Sequence, residues 1–235
     1  MVYDKNKIGK LSEALKEQNR LLQNSSRDVS NLLYEGYPVN SIWAVRSLGI
    51  DPSYGNEVLI DNHGNVTSVM RAEEKVFLGS GDPLYRGIAN SQFYWKGFYV
   101  NMSFTYRWGG LEMNQTLHDR VEVSVSRIMS SNVDERVLKA RWMKPGDLVE
   151  FRNFDASASS GVSSRFVQKD RTLELSSLNV GYRFESEAFR KRTKLNYLNF
   201  SINMSNVAYW STIKQERGTS YPFARNVIGT VTIAY

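Results

Sequence analysis

The segment Phe98-Tyr99-Val100-Asn101-Met102-Ser103-Phe104-Thr105-Tyr106-Arg107-Trp108 alternates without a break. Phe98, Val100, Met102, Phe104, Tyr106 and Trp108 stand at even positions, and Tyr99, Asn101, Ser103, Thr105 and Arg107 at odd ones. A period of two sustained this long dictates a β-strand with one apolar and one polar face. The run is longer than the usual strand of about five or six residues. It matches the roughly 9–11 tilted residues that carry a strand across a bilayer. The preceding arm, Ile88 to Trp95, alternates too: Ala89, Ser91, Phe93 and Trp95 share one face, and Asn90, Gln92, Tyr94 and Lys96 the other. Lys96-Gly97 reads as the tight turn between the arms, because Gly takes positive φ without strain. Tyr94, Trp95, Phe98 and Tyr99 crowd one end of this hairpin and Tyr106 and Trp108 the other, like the aromatic girdles of membrane barrels. Taken alone, the hairpin fits a soluble β-sandwich equally well.

Other segments tip that balance. In Thr172 to Phe184, Leu173 and Leu175 are on one parity and Leu178, Val180, Tyr182 and Phe184 on the other, which predicts a bulge near Ser176-Ser177. In Leu195 to Ser205, Leu198, Phe200, Ile202 and Met204 oppose Asn199, Ser201, Asn203 and Ser205. In the last segment, Arg225 to Tyr235, Val227, Gly229, Val231, Ile233 and Tyr235 share a face. The opposite faces are Ser, Thr, Asn and Gln, too polar for a protein core. A large barrel turns such faces to a wet lumen and the apolar faces to lipid. Phe98, Val100, Met102, Phe104, Tyr106, Leu198, Phe200, Ile202, Met204, Val231, Ile233 and Tyr235 are therefore expected to face lipid. Ser41 to Leu48 reads as a further strand, and Glu57 to Ile60 with Val66 to Met70 as a small hairpin. The expected fold is all-β: an open, curved antiparallel sheet, a fragment of a transmembrane β-barrel, with short helices in its loops.

Between the strands, Ile8, Leu11, Leu15 and Leu22 predict an amphipathic helix over Lys5 to Gln23, ended by Asn24-Ser25-Ser26. The longest connection, Gly109 to Lys169, holds a second helix signal. Asn132 is a good N-cap with Glu135 at the capping-box position, Val137, Leu138 and Trp142 form a stripe, and Pro145-Gly146 is a stop. Ala156 to Ser164 is rich in Ser and Ala and is expected to be mobile, and Ser205 to Phe223 reads as a second long loop. A loop as long as 109–169 usually carries function. Trp142, Phe151 and Phe154 have no strand to bury them. They are candidate contacts to cargo or to a covering protein, or else pack within their own loop.

Several classes of function are disfavoured. The chain has no cysteine, hence no disulfide framework or thiolate metal site. The net charge is +6, but 30 Lys and Arg are scattered among 24 Asp and Glu, so nucleic acid is not an expected partner. The densest basic run, Arg190-Lys191-Arg192-Thr193-Lys194, reads as a solvated turn between strands, or as a turn beside anionic head groups. The two histidines, His63 and His118, sit in loops with no nucleophile or metal spacing around them. Glu73-Glu74 and Asp134-Glu135 read as solvated carboxylates, and the Asp/Asn cluster at Gly64 as a hairpin turn, not a calcium loop. No enzyme activity and no cofactor are expected. The start, Met1 to Lys7, lacks the apolar core of a signal peptide, so an N-terminal part of a longer protein is expected to be missing.

Short motifs along nearly the whole chain carry a more specific resemblance. They are Tyr3-Asp4-Lys5-Asn6-Lys7, Glu35-Gly36-Tyr37-Pro38, Gly49-Ile50-Asp51-Pro52, Gly81-Asp82-Pro83 with Tyr85-Arg86-Gly87, and Tyr94-Trp95-Lys96-Gly97-Phe98. Arg107-Trp108-Gly109-Gly110, Lys144-Pro145-Gly146-Asp147, Ser164-Arg165-Phe166-Val167 and Glu216-Arg217-Gly218-Thr219-Ser220-Tyr221-Pro222-Phe223-Ala224-Arg225 follow. In this order they resemble the C-terminal part of a SusC/RagA-type TonB-dependent outer-membrane transporter, and the final Tyr235 resembles the family's terminal assembly signal. The resemblance implies a roughly 22-stranded barrel, the size class of plugged outer-membrane transporters. On that reading residues 1–235 are the last strands, and the plug and the earlier strands lie elsewhere. It further implies a SusD-like surface lipoprotein as partner, TonB reached only through the missing N-terminal part, oligosaccharide or peptide cargo, and the outer membrane of a Gram-negative bacterium. The alternative is a soluble β-sandwich module that binds saccharides.

Overall fold

The computed structural model describes residues 1–23, 32–123, 125–130, 133–154, 161–213 and 225–235. Among these, five long strands and one short edge strand assemble into one six-stranded antiparallel sheet: β1 (Val2–Tyr3), β7 (Tyr85–Trp95), β8 (Phe98–Met113), β9 (Val167–Phe184), β10 (Tyr197–Ser211) and β11 (Val227–Ala234), hydrogen-bonded in that order. The sheet is open. β1 pairs only with Tyr85 and Arg86, and β11 with β10 alone. The edges therefore lie at Met1–Asp4 and the last strand; Ser41 to Leu48 takes no part in this sheet.

The hairpin forms as the pattern dictates. Lys96 (φ 47°) and Gly97 (φ 89°) are both left-handed, the pairing that a two-residue turn between twisted strands requires. The bulge also falls where the parity changes: Ser177 opposes Ser103 but Leu175 opposes Phe104, so Ser176 is the extra residue. Without it, Leu173 and Leu175 would turn to the polar face. Two strands run further than their local pattern. β8 passes a second irregularity at Gly109 (φ 88°) and keeps pairing to Met113, so the connection spans residues 114–166. β10 passes left-handed Asn206 (φ 52°) and resumes pairing at Ala208 to Ser211, so the start of the loop expected from Ser205 is strand.

Beyond one end of the sheet lie smaller elements. β2 (Ser41–Ala44) pairs with β6 (Val76–Ser80), and β3 (Arg46–Ile50) with β4 (Glu57–Ile60) and β5 (Val66–Thr67). The single strand expected over Ser41 to Leu48 is thus split at Val45, which forms a bridge with Ser163 instead. The first helix is shorter than expected: α1 covers Glu13–Gln23. Upstream, Ile8 N–H donates to Tyr37 O (2.9 Å) and Gly36 N–H to Ile8 O (2.8 Å), so that backbone is committed to another segment. Asn24-Ser25-Ser26 lie outside the described residues, as do Asn132 and 155–160. Two helices follow within the long connection, α2 (Val125–Ser130) and α3 (Arg136–Lys139). α3 ends well before Pro145-Gly146, because Ala140 O accepts from Phe151 N–H (3.1 Å) and Trp142 N–H donates to Phe151 O (3.0 Å). The last helix, α4 (Glu187–Thr193), joins β9 to β10 at the other end.

The buried apolar residues sit in this accessory module, not on the sheet. Trp43, Val45, Leu59, Val121, Val137, Phe151, Val162 and Phe166 form a protein-like core. Val162, expected to be mobile, is among them. The sheet's own large side chains, Phe93, Trp95, Phe200, Ile202, Val231 and Ile233, are exposed.

Candidate functional site

The register places the two sequence-read faces across the whole sheet. One rank holds Trp95, Phe98, Tyr182, Phe200 and Val231; the next Phe93, Val100, Val180, Ile202 and Gly229; the next Ser91, Met102, Leu178, Met204 and Val227. Phe104 continues this face opposite Leu175, Tyr106 opposite Leu173, and Leu198 and Ile233 pair at the turn end. Tyr182 and Phe184 meet edge-on at 4.5 Å between ring centroids. Tyr235 lies just past the end of β11 and is 89% exposed.

The opposite face is a polar ladder. Tyr99 donates its hydroxyl to Asn199 Oδ1 (3.1 Å), Asn101 Nδ2 donates to Asn179 Oδ1 (3.4 Å), and Asn179 Nδ2 in turn donates to Asn203 Oδ1. Near the module, Arg107 forms an ion pair with Asp170 (2.7 Å). At the turn end the same face holds a concavity of about 490 Å³, lined by Tyr94, Tyr99, Arg183, Glu185, Tyr197 and Asn199. Arg183 lies 4.1 Å over the Tyr197 ring and 3.0 Å from Glu185. Flat aromatic faces beside amides and a guanidinium suit sugar rings or peptide groups. Gly181 makes this surface possible, since a Cβ there would collide with the Tyr99 ring and lie 2.7 Å from Phe200 O.

The accessory module is locked by a buried ionic knot that the sequence did not announce. Arg165 Nη2 donates to Glu57 Oε2 (3.1 Å) and Glu122 Oε1 (2.8 Å), and Arg152 Nε to Glu122 Oε1 (2.8 Å). Ser163 Oγ donates to Glu57 Oε1 (2.5 Å). Burial disfavours the Arg165 charge, but the two carboxylates more than offset it and hold its pKa above the ordinary value. Burial lowers that of Arg141, partly offset by Glu122; its Nη2 donates to Val123 O (2.9 Å) and its guanidinium covers the Phe154 ring at 4.5 Å. The partners lie far apart in the chain, so no local spacing could reveal the knot.

The three candidate aromatics are placed inside this module. Phe151 is 3% exposed and is core, so it offers no surface to a partner. Trp142 donates Nε1–H to Pro52 O (2.8 Å), and its ring packs where Gly55 leaves no Cβ. Phe154 lies under Arg141. What the module does present is Leu138, Met143 and Leu148, each more than 60% exposed. Leu138 therefore does not share a buried stripe with Val137. His118 pairs with Asp119 (2.6 Å) and stands edge-on to Phe166, while His63 lies in the Asp61 turn, where hydrogen bonds donated by the Asn65 side chain and by the Asn65 and His63 backbone N–H groups hold the Asp61 carboxyl below its usual range. Among the described residues no group of His, Asp and Glu could hold a metal ion.

No family model matches the chain. A curated protein of Formosa agariphila, "TonB-dependent receptor P39", is 21% identical over 156 residues, which is 65% of this chain and 15% of that protein. Among solved structures, the RagAB peptide importer in its "open-open" state superposes with a TM-score of 0.68 at 16% identity, over 86% of this chain and 23% of that one. Its "closed-closed" state gives 0.65 at 19% identity, over 86% and 24%. The chain is similar to a TonB-dependent receptor in sequence and to the RagAB importer in fold. It spans about 15% of the curated receptor and about a quarter of the solved importer chains. An open sheet is what part of such a receptor's barrel should show, and the expected barrel-fragment fold is borne out. The curated relative is named a TonB-dependent receptor and the solved structures a peptide importer.

Proposed function

We propose that residues 1–235 form the C-terminal barrel wall of a TonB-dependent importer in the outer membrane of a Gram-negative bacterium. The observation that carries this is the split between the two interiors. The accessory module buries its apolar residues as a water-soluble domain does, whereas the sheet leaves an apolar face open across every long strand. In water such a face is an aggregation hazard; in a bilayer it is the surface that faces lipid. Phe98, Val100, Met102, Phe104, Tyr106, Leu198, Phe200, Ile202, Met204, Val231, Ile233 and Tyr235 then meet lipid. Tyr99, Asn101, Asn179 and Asn203 line a wet lumen, and the module stands on the cell surface. The same split speaks against a soluble saccharide-binding sandwich, which would cover that face.

Glycan or peptide fragments are the proposed cargo, and a SusD-like lipoprotein the proposed partner over the module. The RagAB likeness supports a partner of this kind. Leu138, Met143 and Leu148, with the accessible parts of Trp142 and Phe154, are the surface offered to it. TonB contact is assigned to the part of the receptor length that this chain does not span. By itself the chain does not transport: β11 and most of β7 leave backbone groups unpaired, each costing several kcal/mol in lipid.

These 235 residues contain no cysteine, and for the test any cysteine elsewhere in the complete protein is first replaced by serine. Single substitutions Val100→Cys, Ile202→Cys, Ser103→Cys and Asn203→Cys in the complete protein accept nitroxide labels in outer-membrane vesicles. Relaxation by oxygen should dominate at positions 100 and 202, and relaxation by a water-soluble nickel chelate at 103 and 203. Equal exposure of both pairs to the nickel reagent sinks the proposal.

A further inference from the structure

Transport does not account for the connection between β9 and β10. Its helix α4 is capped at both ends: Ser186 Oγ accepts from Phe189 N–H (3.3 Å), and left-handed Lys194 (φ 62°) donates its N–H to Arg190 O (3.0 Å). A turn held this firmly presents its side chains in fixed directions. Phe189 is half-buried, with its ring 5.8 Å from Phe184, which in turn stands edge-on to Phe200 at 6.1 Å. Phe189 thus continues the apolar face of the sheet beyond the last paired residues.

The rest of the turn is basic and exposed. The acids at this end are already engaged, Glu185 with Arg183 (3.0 Å) and Glu187 with Lys191 (3.1 Å). Arg190 donates Nε–H to Asn196 O (3.2 Å). Arg192 and Lys194 make no side-chain hydrogen bond or ion pair among the described residues. The neighbouring turn repeats the combination: Lys96 Nζ lies 5.3 Å from the centroid of Trp95, an apolar-face residue.

We propose that this end of the sheet binds the phosphodiester head groups of anionic phospholipids in the leaflet on the turn side. The inference rests on the membrane-spanning reading above. Phe189 and Trp95 sit at the acyl boundary, as the apolar side of an interfacial helix does. Arg192, Lys194 and Lys96 have stems long enough to lie along that surface while their charges reach the phosphates. Attraction to a charged surface falls off within about 8–10 Å, so it counts only for cations held at the interface. Continuity of Phe189 with the lipid face holds them there.

The test measures lipid selectivity in the full-length protein, reconstituted in phosphatidylcholine with trace spin-labelled phosphatidylglycerol or phosphatidylcholine. The fraction of motionally restricted label reports association. Phosphatidylglycerol should be preferred, and Arg192→Gln with Lys194→Gln should cut that preference by roughly five-fold for each charge removed. Arg192→Lys should retain it, which separates lost charge from misfolding; Lys96→Gln supplies an independent site. Restricted lipid without headgroup preference, or a preference untouched by the double substitution, overturns this inference alone. Displacement of the labelled phosphatidylglycerol by inorganic phosphate overturns it too, by revealing a general anion site. No restricted lipid with either headgroup overturns the membrane reading as well.

Discussion

Met102→Arg tests the assignment of the two faces most directly. Met102 is four residues from Phe98 and four from Tyr106, the aromatic positions that bracket the apolar face of β8. At about 3.4 Å per residue and a tilt near 40°, four residues rise roughly 10 Å. On the proposed orientation, Met102 then sits near the middle of an apolar band about 25 Å tall. Its cross-strand neighbours on that face are Ser91 and Leu178, which offer a guanidinium no counter-charge. Arginine at this depth should cost about 2–4 kcal/mol, falling towards zero at the interfaces. Val100→Arg, two residues nearer the turn, should cost less. Ser103→Arg, between Asn90 and Ser177 on the polar ladder, should stay under about 1 kcal/mol because its charge remains hydrated. Reversible urea unfolding of the complete barrel in phospholipid vesicles, read by heat-modifiable electrophoretic mobility, measures all three. Equal costs at 102 and 103, or a larger cost at 103, would refute the orientation.

Arg165→Met should loosen the accessory module by about 3–5 kcal/mol, the usual cost of stranding a buried charge, since Glu57 would keep only Ser163 while Glu122 keeps Arg152. Hydrogen exchange should rise at 41–60 and 114–154 and not in β8 to β10; uniform change would show that the knot does not act locally. Gly181→Ala should destabilise by about 1–3 kcal/mol through overpacking against Tyr99, and Tyr99→Ser in the same protein should recover part of that. No recovery in the double mutant cycle places the strain in the Phe200 backbone instead. Deleting Tyr235 from the complete protein should lower the yield of assembled barrel in outer membranes, and unchanged yield removes the terminal-signal role.

Much of the sheet was legible because β-structure writes its faces into neighbouring residues. Alternation in Phe98 to Trp108 and in Leu198 to Met204, a Gly-containing turn and a parity change at Ser176 are all local signals. Tertiary pairing only had to honour them. The missed strand ends have local reasons too. Gly109 and Asn206 are left-handed interruptions after which pairing resumes, and in Val207 to Trp210 apolar residues occupy both parities, so the period of two is hidden.

What only the tertiary structure decided lies in the accessory module. Nothing near Val45 says that it leaves one sheet to bridge Ser163 and accept from Ser164 N–H, and nothing near Phe151 says that it becomes core while Leu148 is bare. Those outcomes depend on Glu57, Glu122 and Arg165 meeting across separations of 43 and 108 residues. A charge in the sequence reads as solvated unless its partner is known, and here the partners come from three different segments. By itself the sequence determined a two-faced strand system. Which apolar side chains would be core, and which would stay exposed, was settled by contacts that the chain makes only once it is folded.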